Sequence, residues 1–115
     1  MKIPSEGMMT TLPTYEPRNR GGSENEPWHL RLYLVRWTPA SVAALRTIKQ
    51  MEAEYFPPGS TIEIIDLAEQ PEAGVRDNVL AVPTVVRVRP GPVRRIVGSL
   101  EDIPKTLKIL GFSRV

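Results

Sequence analysis

The spacing of apolar residues changes twice between residues 30 and 67, and it predicts a strand, a helix and a second strand. Leucine occupies every second position from Leu30 to Leu34, as in a strand with one buried face. Apolar side chains then recur at three- and four-residue intervals, which predicts a helix. Its apolar positions are Val42, Leu45, Ile48, Met51 and Tyr55. We expect Thr38 to be the N-cap of this helix and Pro39 to fill its first position.

The next part of the chain predicts a second strand and a short helix. A nearly continuous apolar run from Ile62 to Leu67 is typical of a strand covered on both faces, so the two strands and the intervening helix should form a right-handed parallel unit. After Pro71, the segment that ends at Leu80 contains few apolar residues and one glycine, which predicts a short helix. Its apolar anchors are Val75, Val79 and Leu80.

The C-terminal third of the chain predicts a hairpin followed by a helix. Two runs rich in β-branched residues, 84–88 and 93–97, flank a turn at residues 90–92 whose prolines cannot continue a ladder. The spacing of Ile103, Leu107 and Leu110 predicts a last helix with Asp102 as its N-cap. The predicted order is therefore βαβαββα, an α/β fold with the thioredoxin-like arrangement of elements.

Composition separates the N-terminus from the rest of the chain. The first 29 residues hold four of the twelve prolines and three of the eight glycines, and they lack apolar periodicity. We expect residues 1–29 to be a flexible arm, whose part before Trp28 is dispensable for folding, and residues 30–112 to be the domain. No apolar run is long enough for a signal peptide or a membrane-spanning helix, so we expect a cytoplasmic protein with no membrane partner.

The chain contains no cysteine, which excludes disulfides, thiolate metal sites and dithiol redox activity. The one histidine, His29, has no cysteine with which to build a structural zinc site. Ser41 has no histidine base within the predicted domain, so we interpret it as a helix-start serine. We expect no catalytic, metal-binding or cofactor-binding residues. The alternative is a cysteine-less thioredoxin-like enzyme, such as a transferase that uses Ser41 or Thr38.

Positive charge is concentrated in the predicted hairpin. Its arginines are Arg87, Arg89, Arg94 and Arg95. With no acidic residue among them, this density favours docking on an acidic surface. The chain after residue 29 carries twelve basic and nine acidic residues. Much of the excess lies in the hairpin and not along a helix or an aromatic-rich sheet, so we expect a protein partner and no specific nucleic acid. Trp37 fits two roles equally, a partner contact or a cover for the core.

An ordered series of motifs between residues 30 and 110 resembles the KaiB family. The motifs are Leu32-Tyr33-Leu34-Val35, Thr38-Pro39, Ile64-Ile65-Asp66-Leu67, Val82-Pro83-Thr84 and Val93-Arg94-Arg95-Ile96-Val97-Gly98. The resemblance implies a non-enzymatic regulator that binds the ATPase ring of KaiC-type proteins and competes with thioredoxin-like sensor domains of signalling kinases. It also implies two folds, the thioredoxin-like binding form and a resting oligomer with a rearranged C-terminal half.

The resemblance also implies which residues bind the partner. Arg87, Arg94 and Arg95 occupy positions where the family carries basic docking residues, while Pro83 and Thr84 shape the neighbouring strand. Pro83 stands where thioredoxin-like folds have a cis peptide bond. A homo-oligomer, either a dimer or a tetramer, stays open.

Ile109 departs from the family pattern, since clock proteins often have glycine near this position. Isoleucine strengthens a helix relative to glycine by up to about half a kcal/mol, which favours the thioredoxin-like form. The departure leaves a circadian role and a KaiC-linked stress or signalling role equally open.

Overall fold

The computed structural model describes residues 26–112, so the predicted arm falls largely outside the described residues. Within this span the order of elements is the predicted βαβαββα. The elements are β1 (His29–Leu34), α1 (Pro39–Glu54), β2 (Thr61–Asp66), α2 (Pro71–Arg76), β3 (Thr84–Arg89), β4 (Arg94–Val97) and α3 (Ile103–Leu110). No helix among these residues is long and apolar enough to cross a membrane.

The four strands form one sheet in the order β2-β1-β3-β4. β1 is parallel to β2, whereas β3 is antiparallel to both of its neighbours, β1 and β4. The register places Thr84 opposite Tyr33 on one side and Val97 on the other. Consequently β1, β2 and β4 finish, and β3 begins, at the same end of the sheet, which we call the Pro83 end. There the Gly98 amide donates a hydrogen bond to the Pro83 carbonyl at 2.8 Å.

The main core lies between the sheet and the two longer helices, α1 and α3. Its buried members are Trp28, Leu30, Leu32, Leu34, Ala44, Ile48, Met51, Phe56, Val85, Leu100, Leu107 and Leu110. The predicted helix starts are confirmed: the Thr38 hydroxyl accepts from the Ser41 amide, and the Asp102 carboxylate accepts from the Lys105 amide, each at 3.2 Å. Both caps satisfy amides that a helix start would otherwise leave unpaired.

The buried face of α1 is rotated from the predicted one. Val42 was expected to face the core but is 39% exposed, whereas Ser41 and Ala44 are buried. Ser41 can be buried because its hydroxyl accepts a hydrogen bond from the Val35 amide at 3.2 Å. This hydrogen bond satisfies the buried serine hydroxyl. Spacing counted from apolar residues alone cannot identify such a buried polar position.

The opposite face of the sheet carries only the short helix α2, which covers a small cluster. Its buried members are Tyr33, Ile65, Ala73 and Val86. The expectation that Val75 and Leu80 anchor this segment was wrong, since they are 85% and 90% exposed. A helix of six residues is less than two turns long, and Ala73 is its one buried side chain.

The second strand also differs from its prediction. β2 is an edge strand in which Ile65 is buried, Ile62 and Ile64 are partly buried and Glu63 is exposed, so it is not covered on both faces. The short helix α2 leaves much of the sheet face on which it packs open to solvent.

The fold begins at Trp28, two residues before the predicted domain boundary. Its indole is buried against Phe56 and Phe112, with ring centroids 5.0 and 6.3 Å away. The Trp28 amide donates to the Ser60 hydroxyl at 2.9 Å, and His29 is the first residue of β1. An isolated tryptophan after a polar stretch has no periodic apolar neighbours, so the sequence pattern assigned Trp28 and His29 to the arm.

Candidate partner-binding surface

The basic hairpin, which we define as residues 84–97, forms one edge of the sheet and does not expose its arginines equally. Arg89, Arg94 and Arg95 are exposed, whereas Arg87 is buried. The turn at residues 90–92 has cis peptide bonds before Pro90 and before Pro92. The four-arginine pattern therefore contains residues with different structural roles.

Arg94 is the arginine of β4 that is free to meet a partner. It lies on the exposed edge strand, and among the described residues its side chain has no hydrogen bond or ion pair. Its register partner in β3 is Arg87, another cation. An exposed and uncompensated charge of this kind can form a charge-assisted contact without first breaking an internal one.

Arg87 belongs to the hairpin, but it is buried, with only 5% of its surface exposed. Its guanidinium stacks on the Trp28 indole, 5.0 Å from the ring centroid, and donates to the Pro92 carbonyl at 3.2 Å. Burial, followed by the nearby charge of Arg94, lowers the pKa of Arg87. A Cβ at Gly111 would lie 2.8 Å from Arg87 Nη1, which shows how closely the C-terminal segment covers this side chain. In this fold Arg87 is thus packed inside the domain, and a partner contact from it stays a prediction.

Arg95 holds the loop that joins α2 to β3. Its two terminal guanidinium nitrogens donate to the carbonyls of Asp77 and Asn78, each at 2.9 Å. The arginine thus binds backbone at the carboxyl end of α2, where a cation is electrostatically favourable. A partner contact from Arg95 stays a prediction, but its position already has a structural role.

Asp77 is the centre of a polar network that connects this loop with the sheet. Its carboxylate accepts a hydrogen bond from the Tyr33 hydroxyl at 2.6 Å and from Arg76 Nε at 3.2 Å. These two hydrogen bonds, the one from Arg76 first, lower the pKa of Asp77. No local sequence pattern indicates this network, because Tyr33 is 44 positions away from Asp77 in the chain.

Because the pKa of Asp77 is lower in the folded state, its ionised form stabilises the domain above the unfolded-state value of 3.8, and this contribution is lost as the pH falls below it. We expect Asp77→Asn to lower the melting temperature at pH 7 by about 4 °C and to reduce its decrease on acidification. Melting curves followed by circular dichroism between pH 7 and pH 3 test this. Glu69→Gln, which alters an exposed carboxylate, is the control, and parallel curves for wild type and Asp77→Asn would contradict the prediction.

Pro83 and Thr84 lie below the surface at the start of β3. The peptide bond between Val82 and Pro83 is cis, and the Thr84 hydroxyl donates to the Ala81 carbonyl at 2.7 Å. With the Gly98 hydrogen bond to Pro83, these contacts hold the entry to β3 against the end of β4. Their geometry is suited to shaping the strand and not to direct contact with a partner.

The hydroxyls considered for an enzymatic role serve the backbone. Ser41 is buried, and its hydroxyl is bound by the Val35 amide. The Thr38 hydroxyl donates to the Val35 carbonyl at 3.0 Å and caps α1. Neither hydroxyl is paired with a general base, as a nucleophile would require.

Trp37 is 83% exposed, so the interpretation that it covers the core was wrong. Its backbone adopts φ 74°, and Asn78 is the other non-glycine residue of the described span with positive φ, at 58°. The left-handed region is unfavourable for a bulky residue such as Trp37, whereas asparagine tolerates it.

Comparison with known proteins places these features in a family. The family model of the KaiB domain matches residues 31–112. A relative from Microcystis aeruginosa, named circadian clock oscillator protein KaiB, is 41% identical over 78 residues, which cover 68% of this chain and 75% of the relative. The protein of the same name from Synechococcus elongatus is 39% identical over 85 residues, which cover 74% of this chain and 83% of the relative.

Solved structures show the thioredoxin-like fold. The N-terminal domain of Synechococcus elongatus SasA has a TM-score of 0.56 and 19% identity, with 84% of this chain and 88% of that chain covered. Mitochondrial thioredoxin 3 from Saccharomyces cerevisiae has a TM-score of 0.58 and 18% identity, with 74% and 80% covered. At these identities the likeness concerns the fold alone.

The curated relatives are clock oscillator proteins and not enzymes, which confirms the prediction of a non-enzymatic protein and does not favour the transferase alternative. The family match spans most of the chain, including β2, the short helix α2 and the basic hairpin. This chain belongs to the KaiB family.

Proposed function

We propose that this protein is a non-enzymatic regulator that docks on the ring of a KaiC-type ATPase and thereby modulates clock or stress signalling in the cytoplasm. The observation that carries the proposal is Arg94, an exposed cation without an internal partner among the described residues, on the edge strand of a KaiB-family domain. The names of the curated relatives support a role in a circadian oscillator.

Electrostatics explains how the hairpin would select an acidic partner. Arg89 and Arg94 are exposed on the same hairpin, and the charge of Arg87 lies below them. Exposed charges steer association and set orientation, and their effect weakens as salt screens them. Docking should therefore be fastest at low ionic strength, and the ATPase ring should present carboxylates to the hairpin.

The shared fold supplies a route to a sensor-kinase pathway. The N-terminal domain of SasA has the same thioredoxin-like arrangement, so the two domains can offer comparable surfaces to one ring. Competition between them would link occupancy of the ATPase to kinase signalling. A homo-oligomer that hides the hairpin, either a dimer or a tetramer, would oppose docking.

The charge reversal Arg94→Glu should weaken binding to a KaiC-type ATPase at least tenfold, or about 1.4 kcal/mol, because an attractive contact becomes a repulsive one. The measurement is a fluorescence titration of the labelled domain with the ATPase in the presence of nucleotide. Circular dichroism should show an unchanged fold, since exposed charges contribute little to stability.

Arg46→Glu is the matched control, because it makes the same charge change on the exposed face of α1. We expect its affinity to stay within about twofold of wild type. Arg95→Glu is a poorer test, since it also removes the hydrogen bonds to the α2–β3 loop. Equal weakening by Arg46→Glu and Arg94→Glu would show that binding depends on the net charge of the domain and not on the position of Arg94. Absence of wild-type binding would refute the proposal.

A further inference from the structure

Three large apolar side chains are exposed at the Pro83 end of the sheet. Trp37 follows β1 by three residues, Leu80 precedes β3 by four, and Val97 is the last residue of β4. Their exposed fractions are 83%, 90% and 58%. The strand register brings their segments to the same end, because Tyr33 of β1 and Val97 of β4 both face Thr84 of β3. We call these three residues the Trp37 surface.

Backbone contacts hold the two loops of this surface in place. The loop of Trp37 is closed by the hydrogen bond from the Thr38 hydroxyl to the Val35 carbonyl. The loop of Leu80 is bound at Asp77 and Asn78 by Arg95. The two positive-φ residues, Trp37 and Asn78, lie in these same loops. The strain at Trp37, in a loop that exposes its apolar side chain, is typical of functional sites, because stability alone would select against both features.

We propose that the Trp37 surface supplies the apolar anchors with which this protein docks on the same ATPase that meets Arg94. The inference rests on the proposed function, and it assigns the surface a partner whose apolar side chains are flanked by carboxylates. Aromatic and aliphatic anchors of this kind carry most of the binding free energy in protein interfaces, while exposed charges mainly orient the encounter.

Continuity along β4 identifies the occupant. Val97 lies three residues from Arg94 on the same edge strand, a separation of about 10 Å. At this odd spacing the two side chains point to opposite faces of the sheet, so the partner has to cover the free edge of β4. An interface of ordinary size covers about 800 Å² on each partner, so one partner can span both positions. Arg95 lies between them, and Arg36, half-exposed beside Trp37, is paired with Asp66 at 3.6 Å. The charges around the apolar residues are thus mainly basic on the hairpin side, which complements an acidic partner.

The test compares Trp37→Ala, Leu80→Ala and the double variant with wild type in binding kinetics on the immobilised KaiC-type ATPase. We expect each single variant to dissociate several times faster and the double variant to lose at least tenfold in affinity, with association rates little changed. Arg94→Glu should instead slow association and reduce its salt dependence. Because both side chains are exposed, circular dichroism and the melting temperature should stay at wild-type values.

Ile109→Ala is the control for loss of an exposed apolar side chain. Ile109 is 39% exposed on α3, and that helix ends near Trp28 at the opposite end of the sheet, as the contacts of Phe112 show. Its kinetics should match wild type. If Trp37→Ala and Leu80→Ala bind like wild type while Arg94→Glu is weakened, the Trp37 surface is not an anchor and the proposed function stands. If wild type does not bind the ATPase, both proposals fail together.

Discussion

Replacing Trp28 by alanine is expected to lower the free energy of unfolding by about 3–5 kcal/mol. The indole is buried between Phe56 and Phe112, and it covers the guanidinium of Arg87. Its removal would leave a cavity. It would also remove the cation–π contact of Arg87, whose Nε is already buried without a hydrogen-bond partner. Domains of this size are stable by about 5–15 kcal/mol, so the variant should be marginal.

Trp37→Ala is the matched control, because the same side chain is removed from a position that is almost fully exposed. Its free energy of unfolding should change by less than about 0.5 kcal/mol. Urea unfolding followed by circular dichroism measures both variants without relying on tryptophan fluorescence. A loss below about 1 kcal/mol for Trp28→Ala would show that the stable domain begins after this residue.

Leu110→Ala should destabilise the domain by about 2–5 kcal/mol, because Leu110 is fully buried in the main core on the last turn of α3. The measurement is again urea unfolding. The expectation is specific to the thioredoxin-like form, in which the C-terminal segment packs as a helix against the sheet that contains Val85.

The neighbouring substitution Ile109→Ala should cost less than about 1 kcal/mol, because Ile109 faces solvent in part. Two consecutive residues of α3 therefore have opposite expected outcomes. Similar losses for both would mean that the C-terminal segment does not pack as this helix in solution, and would favour the rearranged fold that the family resemblance implies.

The arginines of the basic hairpin have separate roles in this fold. Arg87 stacks on Trp28, Arg95 holds the loop before Pro83, and Arg89 and Arg94 are exposed. Substituting Arg94 and Arg95 together would therefore combine a binding effect with a structural one. Separate variants are needed to assign the loss of binding to a contact.

Local sequence patterns determined the elements of this protein. The N-caps Thr38 and Asp102, the helical spacing that ends at Leu110 and the proline-rich turn of the hairpin depend on residues within a few positions of one another. The absence of cysteine excluded dithiol chemistry at once. The motifs from Leu32 to Gly98 were sufficient for the family, which the KaiB domain match confirms.

Tertiary structure decided which of these residues are exposed. Trp28 and Trp37 are chemically identical, yet one is core and the other is surface, because Trp28 and not Trp37 packs against Phe56 and Phe112. Arg87 and Arg95 differ from Arg94 through partners that no local pattern reveals. Arg95 binds carbonyls 17 and 18 positions away, and Tyr33 binds Asp77 across 44 positions. Burial and pairing are properties of contacts between distant segments, so only the folded chain determines which side chains remain for a partner.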